Sequence, residues 1–183
     1  HVTLGENRVQ EAAAKIPLLQ PATWHLVGHL QKNKAAKVIE LFDVVESVDS
    51  VALATRLDRL VGERPARAGE RLPVYLQVNV DEDPSKAGFE PAALERELEG
   101  LLDLAHLEVR GLMTVGFHTG GRDAARPTFV RLRELAERLR AADPRLGAGL
   151  SMGMTDDYEV AIEEGSTLVR VGRALFGERP QPA

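Results

Sequence analysis

Short apolar or β-branched runs alternate with amphipathic stretches along the whole chain, which predicts repeated βα units and a parallel sheet. Seven such units can be counted, with strands at residues 2–4, 23–27, 44–47, 74–80, 109–115, 149–151 and 167–171. Three stripes recur at helical spacing: Val51, Ala54, Leu57 and Val61; Leu94, Leu98, Leu101 and Leu102; and Phe129, Leu132, Leu135, Ala136 and Leu139. They predict helices whose apolar faces cover the sheet. Asp58 with Arg59, and Glu134 with Arg138, fall on the opposite, solvated face. Within 74–80, Val74, Leu76, Val78 and Val80 alternate with Tyr75, Gln77 and Asn79. One side of that strand should meet helices, and the other should line a polar interior near the carboxyl end, as in a βα barrel. The expected fold is therefore α/β, a (β/α)8 barrel of the TIM type in a single domain over residues 1–183. Closure takes eight strands, and the first of the seven is already reached at residue 2. The barrel is expected to be open or to lack its first strand.

The carboxyl end of this sheet is where chemistry is expected. Gly149-Leu-Ser-Met-Gly-Met-Thr-Asp-Asp-Tyr158 reads as a strand running into a helix that opens at Asp156. Gly165-Ser-Thr-Leu-Val-Arg-Val-Gly-Arg-Ala-Leu-Phe-Gly177 repeats the device, with a strand that stops at Gly172. Adjacent strand-to-helix turns rich in glycine and hydroxyls leave backbone N–H groups bare, and helix N-terminal dipoles favour an anion there. Arg170 and Arg173 add fixed positive charge. The pattern predicts a phosphate site. The segments 66–72 and 117–123 are the clearest loops by glycine and charge content, and the second reads equally as a lid over the site or as a solvated loop.

Composition narrows the partners. A net charge of −5 with scattered basic residues argues against a nucleic-acid surface. No apolar run approaches the ~20 residues of a membrane helix. There are 0 cysteines, which rules out disulfides, thiolate metal sites and cysteine nucleophiles; with no secretory pattern at the start, a cytoplasmic location is expected. Among candidate residues, Asn7 suits either an N-cap or a ligand contact. His25 reads as a satisfied core histidine, since its spacing to His29 makes a metal pair only on a helix and no third ligand accompanies it. Ser151 lacks a nucleophile-elbow setting and reads as a phosphate-binding hydroxyl. Met113, Met152 and Met154 read either as core or as the lining of a flat aromatic ligand.

Six blocks, in order, carry a resemblance that covers essentially the whole chain. They are Gly5-Glu-Asn-Arg-Val-Gln-Glu11, Trp24-His-Leu-Val-Gly-His-Leu-Gln-Lys-Asn-Lys34, Ser85-Lys-Ala-Gly88, Arg110-Gly-Leu-Met113, Leu150-Ser-Met-Gly-Met154 with Asp156-Asp157, and Val169-Arg-Val-Gly172. Together they closely resemble the pyridoxal phosphate homeostasis protein family, which is similar to the N-terminal barrel of alanine racemase and of ornithine-decarboxylase-like enzymes. The resemblance implies that pyridoxal 5'-phosphate binds at the carboxyl ends of the strands. It implies that Ser151, Gly172 and Arg173 hold the phosphate, that Arg170 faces the pyridine nitrogen, and that Asn7 and Met152 flank the ring. An arginine at the ring nitrogen makes the cofactor a poor electron sink.

The family's Schiff-base lysine lies about one βα unit before the Gly-Glu-Asn block, and none of Lys15, Lys32, Lys34, Lys37 and Lys86 occupies that place. The chain is accordingly expected to be part of a longer one; Lys86 is the nearest surrogate amine, although a solvated loop lysine is the better reading of it. The function the resemblance implies is non-enzymatic: a monomeric protein that buffers pyridoxal phosphate and delivers it to apo-enzymes. The alternative is a racemase or decarboxylase, but those relatives use a further β domain to supply a base across the cofactor, which this sequence lacks. A barrel enzyme acting on another phosphate ester is a third, weaker reading.

Overall fold

The apolar alternation resolves into seven parallel strands separated by helices. In order these are β1 (Thr3–Glu6), α1 (Val9–Lys15), β2 (Thr23–Leu26), α2 (Ala35–Leu41), β3 (Val44–Val48), α3 (Val51–Gly62), β4 (Leu72–Gln77), α4 (Pro91–Leu102), β5 (Leu107–Met113), α5 (Arg126–Ala142), β6 (Gly149–Met154), α6 (Tyr158–Glu163), β7 (Leu168–Arg170) and α7 (Arg173–Phe176). This computed structural model describes residues 2–64, 69–116 and 122–177. Of the expected loops, 66–68 and 117–121 lie outside that set, and Leu72 already belongs to β4.

Each strand pairs in parallel with the next in sequence, in the order β1 to β7. Sequential parallel neighbours joined by helices curl one way, because βα crossovers are right-handed. The result is a nearly closed βα barrel. No ladder joins β1 to β7 among the described residues, so these two are the edge strands.

Side-chain alternation sorts the barrel into two layers. Trp24, Leu26, Val45, Val48, Val74, Leu76, Leu112, Leu150 and Met152 pack outward against the buried stripes of the helices. The stripes on α4 and α5 are buried as their spacing predicts. On α3, Val51 is exposed and Leu53 takes its place in the core, with Ser50 Oγ accepting the Leu53 N–H at the helix start. Asp58, expected to be solvated, instead accepts the backbone N–H of His106 at 2.7 Å and anchors the approach to β5. Arg138 reaches across to Glu95 on α4 at 3.3 Å. Inside the barrel, Val44, Tyr75 and Met113 form a small apolar layer with Val115 and Leu168 against it.

Three register shifts break the plain alternation. Between β3 and β4, Val45 pairs with Val74 but Val48 with Leu76, so β3 carries one extra residue around Glu46 and Ser47. Similar shifts occur between Val74 and Tyr75 against β5, and between Ser151 and Met154 against β7. Bulges of this kind bend a strand and re-aim its side chains. At the second shift Gly111 has φ +152°, and a Cβ there would lie 1.9 Å from the Gly149 carbonyl oxygen, so only glycine fits.

Candidate functional site

Glu46 in the middle of β3, Ser151 in the middle of β6 and Arg170 at the end of β7 bring three polar side chains into the barrel interior. Glu46 is 1% exposed although it carries a carboxylate. The bulge in β3 lets Val45 and Val48 both face outward while Glu46 turns in. Its Oε1 lies 2.6 Å from His25 Nδ1 on β2, and its Oε2 accepts the Ser151 hydroxyl at 2.5 Å. Arg170 Nη1 donates to Ser151 Oγ at 2.5 Å, and Nη2 donates to the Thr114 carbonyl at 2.7 Å. Burial pushes the Arg170 guanidinium below its ordinary value, opposed by the charges of Glu46 and Asp157. The direct Arg170 to Glu46 separation is 3.9 Å, so the serine bridges the pair.

At the mouth of the barrel, the turns after β6 and β7 lie side by side, since Met154 pairs with Arg170. Asp157 Oδ1 accepts the Met154 N–H at 2.6 Å and shapes the first turn. α6 therefore starts at Tyr158, two residues later than the sequence pattern suggests. Thr155 lies half-buried in this turn, and Gly172 opens the neighbouring one. Arg173 forms an ion pair with Asp156 across the two turns. The chemistry assembled here is an internal cation with spare N–H donors, a hydroxyl and a glycine turn, suited to an acceptor-rich ligand.

Asn7 sits at the carboxyl end of β1, on the wall of a cavity of about 260 Å³ that His29, Gln31 and Lys34 also line. It does not cap α1. The helix starts after Arg8 without a side-chain cap, and the Glu6 carboxylate accepts the N–H groups of Asn7 and Arg8 at 2.7 and 3.3 Å. Gly28 holds this turn close, because a Cβ there would come within 2.3 Å of the Asn7 carbonyl oxygen. The larger cavity, about 390 Å³, opens between Arg71, Arg110 and Arg145 at the amino ends of β4 to β6, away from every site residue expected from sequence.

The structure therefore brings Arg170, Gly172 and Arg173 to one end of the barrel, joins Ser151 to Arg170 by a hydrogen bond and sets Met152 apart. Ser151 has its hydroxyl committed to Glu46 and Arg170 inside the barrel, so Thr155 is the hydroxyl available at the turn. Met152 is 0% exposed in the outer core, because alternation along β6 turns it toward the helices. Glu46 is the residue the sequence reading missed. Its signal was a charge inside the otherwise apolar Val44-Val-Glu-Ser-Val48 strand, which calls for a buried partner.

Residues 1–180 match the family model described as alanine racemase, N-terminal domain. The pyridoxal phosphate homeostasis protein of Pseudomonas aeruginosa is 44% identical over 178 residues, 96% of this chain and 74% of that one. That of Aquifex aeolicus is 38% identical, over 96% of this chain and 76% of the relative. The chain belongs to the pyridoxal phosphate homeostasis protein family.

Among solved structures, PipY of Synechococcus elongatus with pyridoxal phosphate bound superposes with a TM-score of 0.87 at 43% identity, covering 97% of this chain and 82% of PipY. Alanine racemase of Clostridium difficile superposes at 0.75 over 98% of this chain and 45% of the racemase. At 17% identity that likeness shows the fold alone. In this family member the described lysines all lie off the strands. Lys15 pairs with Glu6, Lys37 with Glu40, and Lys32 and Lys34 lie in a short turn before α2. Lys86 is 19% exposed, not solvated: its ammonium is held by Asp81 at 2.8 Å and by the Val115 carbonyl at 3.3 Å. Among the described residues, no helix is long and apolar enough to cross a membrane.

Proposed function

We propose that this chain holds pyridoxal 5'-phosphate at the carboxyl end of the barrel and serves as a reservoir of the cofactor for apo-enzymes rather than as a catalyst. The observation that carries the reading is Arg170, a cation fixed inside the barrel mouth by Ser151 and the Thr114 carbonyl. The donor set fits the ligand at both ends. Arg170 retains N–H groups for the ring nitrogen, while Thr155 and the backbone of the Gly172 and Arg173 turn suit the phosphate. Asn7 stands at the carboxyl end of β1, the other edge strand, where it can flank the ring. Pyridoxal phosphate supplies a reactive aldehyde and an electron-accepting ring when bound. Arginine does not hand a proton to that ring, so the ring nitrogen stays unprotonated and the ring is a weaker electron sink.

In this reading the chain is one domain acting as a monomer in the cytoplasm. A further parallel strand pairing with the edges of β1 and β7 would close the barrel. The homeostasis names of the Pseudomonas and Aquifex relatives, and the bound cofactor of PipY, support it.

Calorimetric titration with pyridoxal phosphate, pyridoxal and inorganic phosphate tests the binding. Saturable binding of pyridoxal phosphate is expected, with pyridoxal at least about tenfold weaker for want of the charge-assisted phosphate contacts. No saturable binding would sink the proposal. Exchange of the alanine α-proton in D2O should run no faster with the protein present than with pyridoxal phosphate alone. Faster exchange would move the protein to the racemase side.

A further inference from the structure

The carboxylate of Glu46 can only accept hydrogen bonds, and that fixes the direction of every bond around it. His25 Nδ1, 2.6 Å from Oε1, must carry a proton, and Ser151 must give its one hydroxyl proton to Oε2. Ser151 Oγ is then left as an acceptor, which Arg170 Nη1 fills at 2.5 Å. A carboxylate some 3.9 Å from Nη1 thus orients the guanidinium through an intervening serine and balances its charge. Two of the five guanidinium N–H groups are committed to Ser151 and Thr114, which leaves three whose direction is set by the same plane.

Charge balance decides what such an arginine recognises. A buried guanidinium without a counter-charge attracts an anion strongly. One already paired offers directed donors with little net charge, which favours a neutral acceptor such as an unprotonated pyridine nitrogen. We propose that Glu46, supported by His25 and acting through Ser151, is the positioning residue that makes Arg170 selective for a neutral heteroaromatic nitrogen. The inference rests on the cofactor-binding reading of the site and adds to it the origin of ring selectivity. Glu46 touches no ligand in this scheme, and its effect is carried by the guanidinium.

The test is a cycle between protein and ligand. Wild-type chain, Glu46→Gln and Ser151→Ala are titrated by calorimetry with pyridoxal phosphate and with its 1-deaza analogue, which has carbon in place of the ring nitrogen. Wild type should favour pyridoxal phosphate about tenfold, the worth of one well-placed buried hydrogen bond. Both variants should lose most of that preference while binding the deaza analogue within about twofold of wild type. Melting curves of each variant confirm that a folded protein was titrated. Equal weakening of both ligands would show that Glu46 is merely structural, and an unchanged preference would show that Arg170 is placed without it; either overturns the inference while leaving cofactor binding intact. A wild type that binds both ligands equally also overturns it. If wild type binds neither, the cofactor-binding reading fails and takes the inference with it.

Discussion

Glu46 and Ser151 stand 105 positions apart in the sequence and meet inside the barrel at 2.5 Å, the hydroxyl donating to the carboxylate. Ser151→Ala removes the donor to Oε2 and the acceptor for Arg170 together. Leaving buried polar groups short of a partner costs about 2 kcal/mol. The unfolding free energy from urea melts should fall by that amount in the absence of any ligand, through a lower midpoint at an unchanged slope. A variant of unaltered stability, weakened only in ligand affinity, would instead place the hydroxyl at the phosphate.

Met152 makes the complementary case. Its side chain is 0% exposed and packs in the outer core of the barrel. Met152→Ala should destabilise the chain by about 3 kcal/mol through lost burial and the cavity left behind. Affinity for pyridoxal phosphate in the folded fraction should stay within about twofold, roughly 0.4 kcal/mol. A large affinity loss with little change in melting would mean that the thioether reaches the ligand after all.

The fold was legible because parallel strands buried on both faces read as short apolar runs, and helices covering them read as stripes such as Phe129 to Leu139. The end of the barrel that gathers Arg170, Gly172 and Arg173 was legible from glycines and arginines at strand ends. What stayed hidden depends on bulges. A strict period of two carries no sign of the extra residues in β3 and β6, yet the first is what returns Val48 to the outer face beside Val45. Ser151 was visible as a hydroxyl near a turn, but its partners come from strands far away in sequence. Asp58, likewise, had the spacing of a solvated helix charge while its acceptor role depends on the distant His106 backbone.

The loop after β4 is tied to α5 by a second buried carboxylate. Asp81 accepts the Thr128 hydroxyl at 2.8 Å and pairs with Lys86 at 2.8 Å and Arg131 at 3.0 Å. Its side chain is 4% exposed, so the charge depends on those donors. Asp81→Asn keeps the shape but removes the charge that holds two cations. A loss of about 3 kcal/mol is expected, in the range for breaking a buried pair. It should appear as a lower melting temperature and as faster backbone amide exchange at residues 81–88. Exchange unchanged in that loop would show that Gln77 and Asn79, which donate to the Ala87 and Asp83 carbonyls, hold it alone.

A pH effect follows from Glu6 and Lys15, whose side chains meet at 2.5 Å. Burial pushes the Glu6 carboxyl up, but Lys15 and the N–H groups of Asn7 and Arg8 together draw it below its ordinary value. Lys15 is raised, chiefly by its hydrogen bond to Glu6, against the opposing effect of its own burial. The lowered carboxyl contributes stability above the ordinary glutamate range and loses it as pH falls through the folded value. The raised ammonium contributes below the ordinary lysine range and loses its share as pH rises through its own folded value. Between the two the pair is intact. Lys15 is half exposed, so solvent screening limits the pair to about 1 kcal/mol. Lys15→Met should therefore be less stable than wild type by about 1 kcal/mol near neutral pH. The gap should close as Glu6 takes up its proton in acid, since the parent then loses the same interaction. Urea melts of both proteins from neutral pH into the acid range measure this directly, and a gap that persists undiminished in acid would assign the effect to packing of the lysine stem instead of its charge.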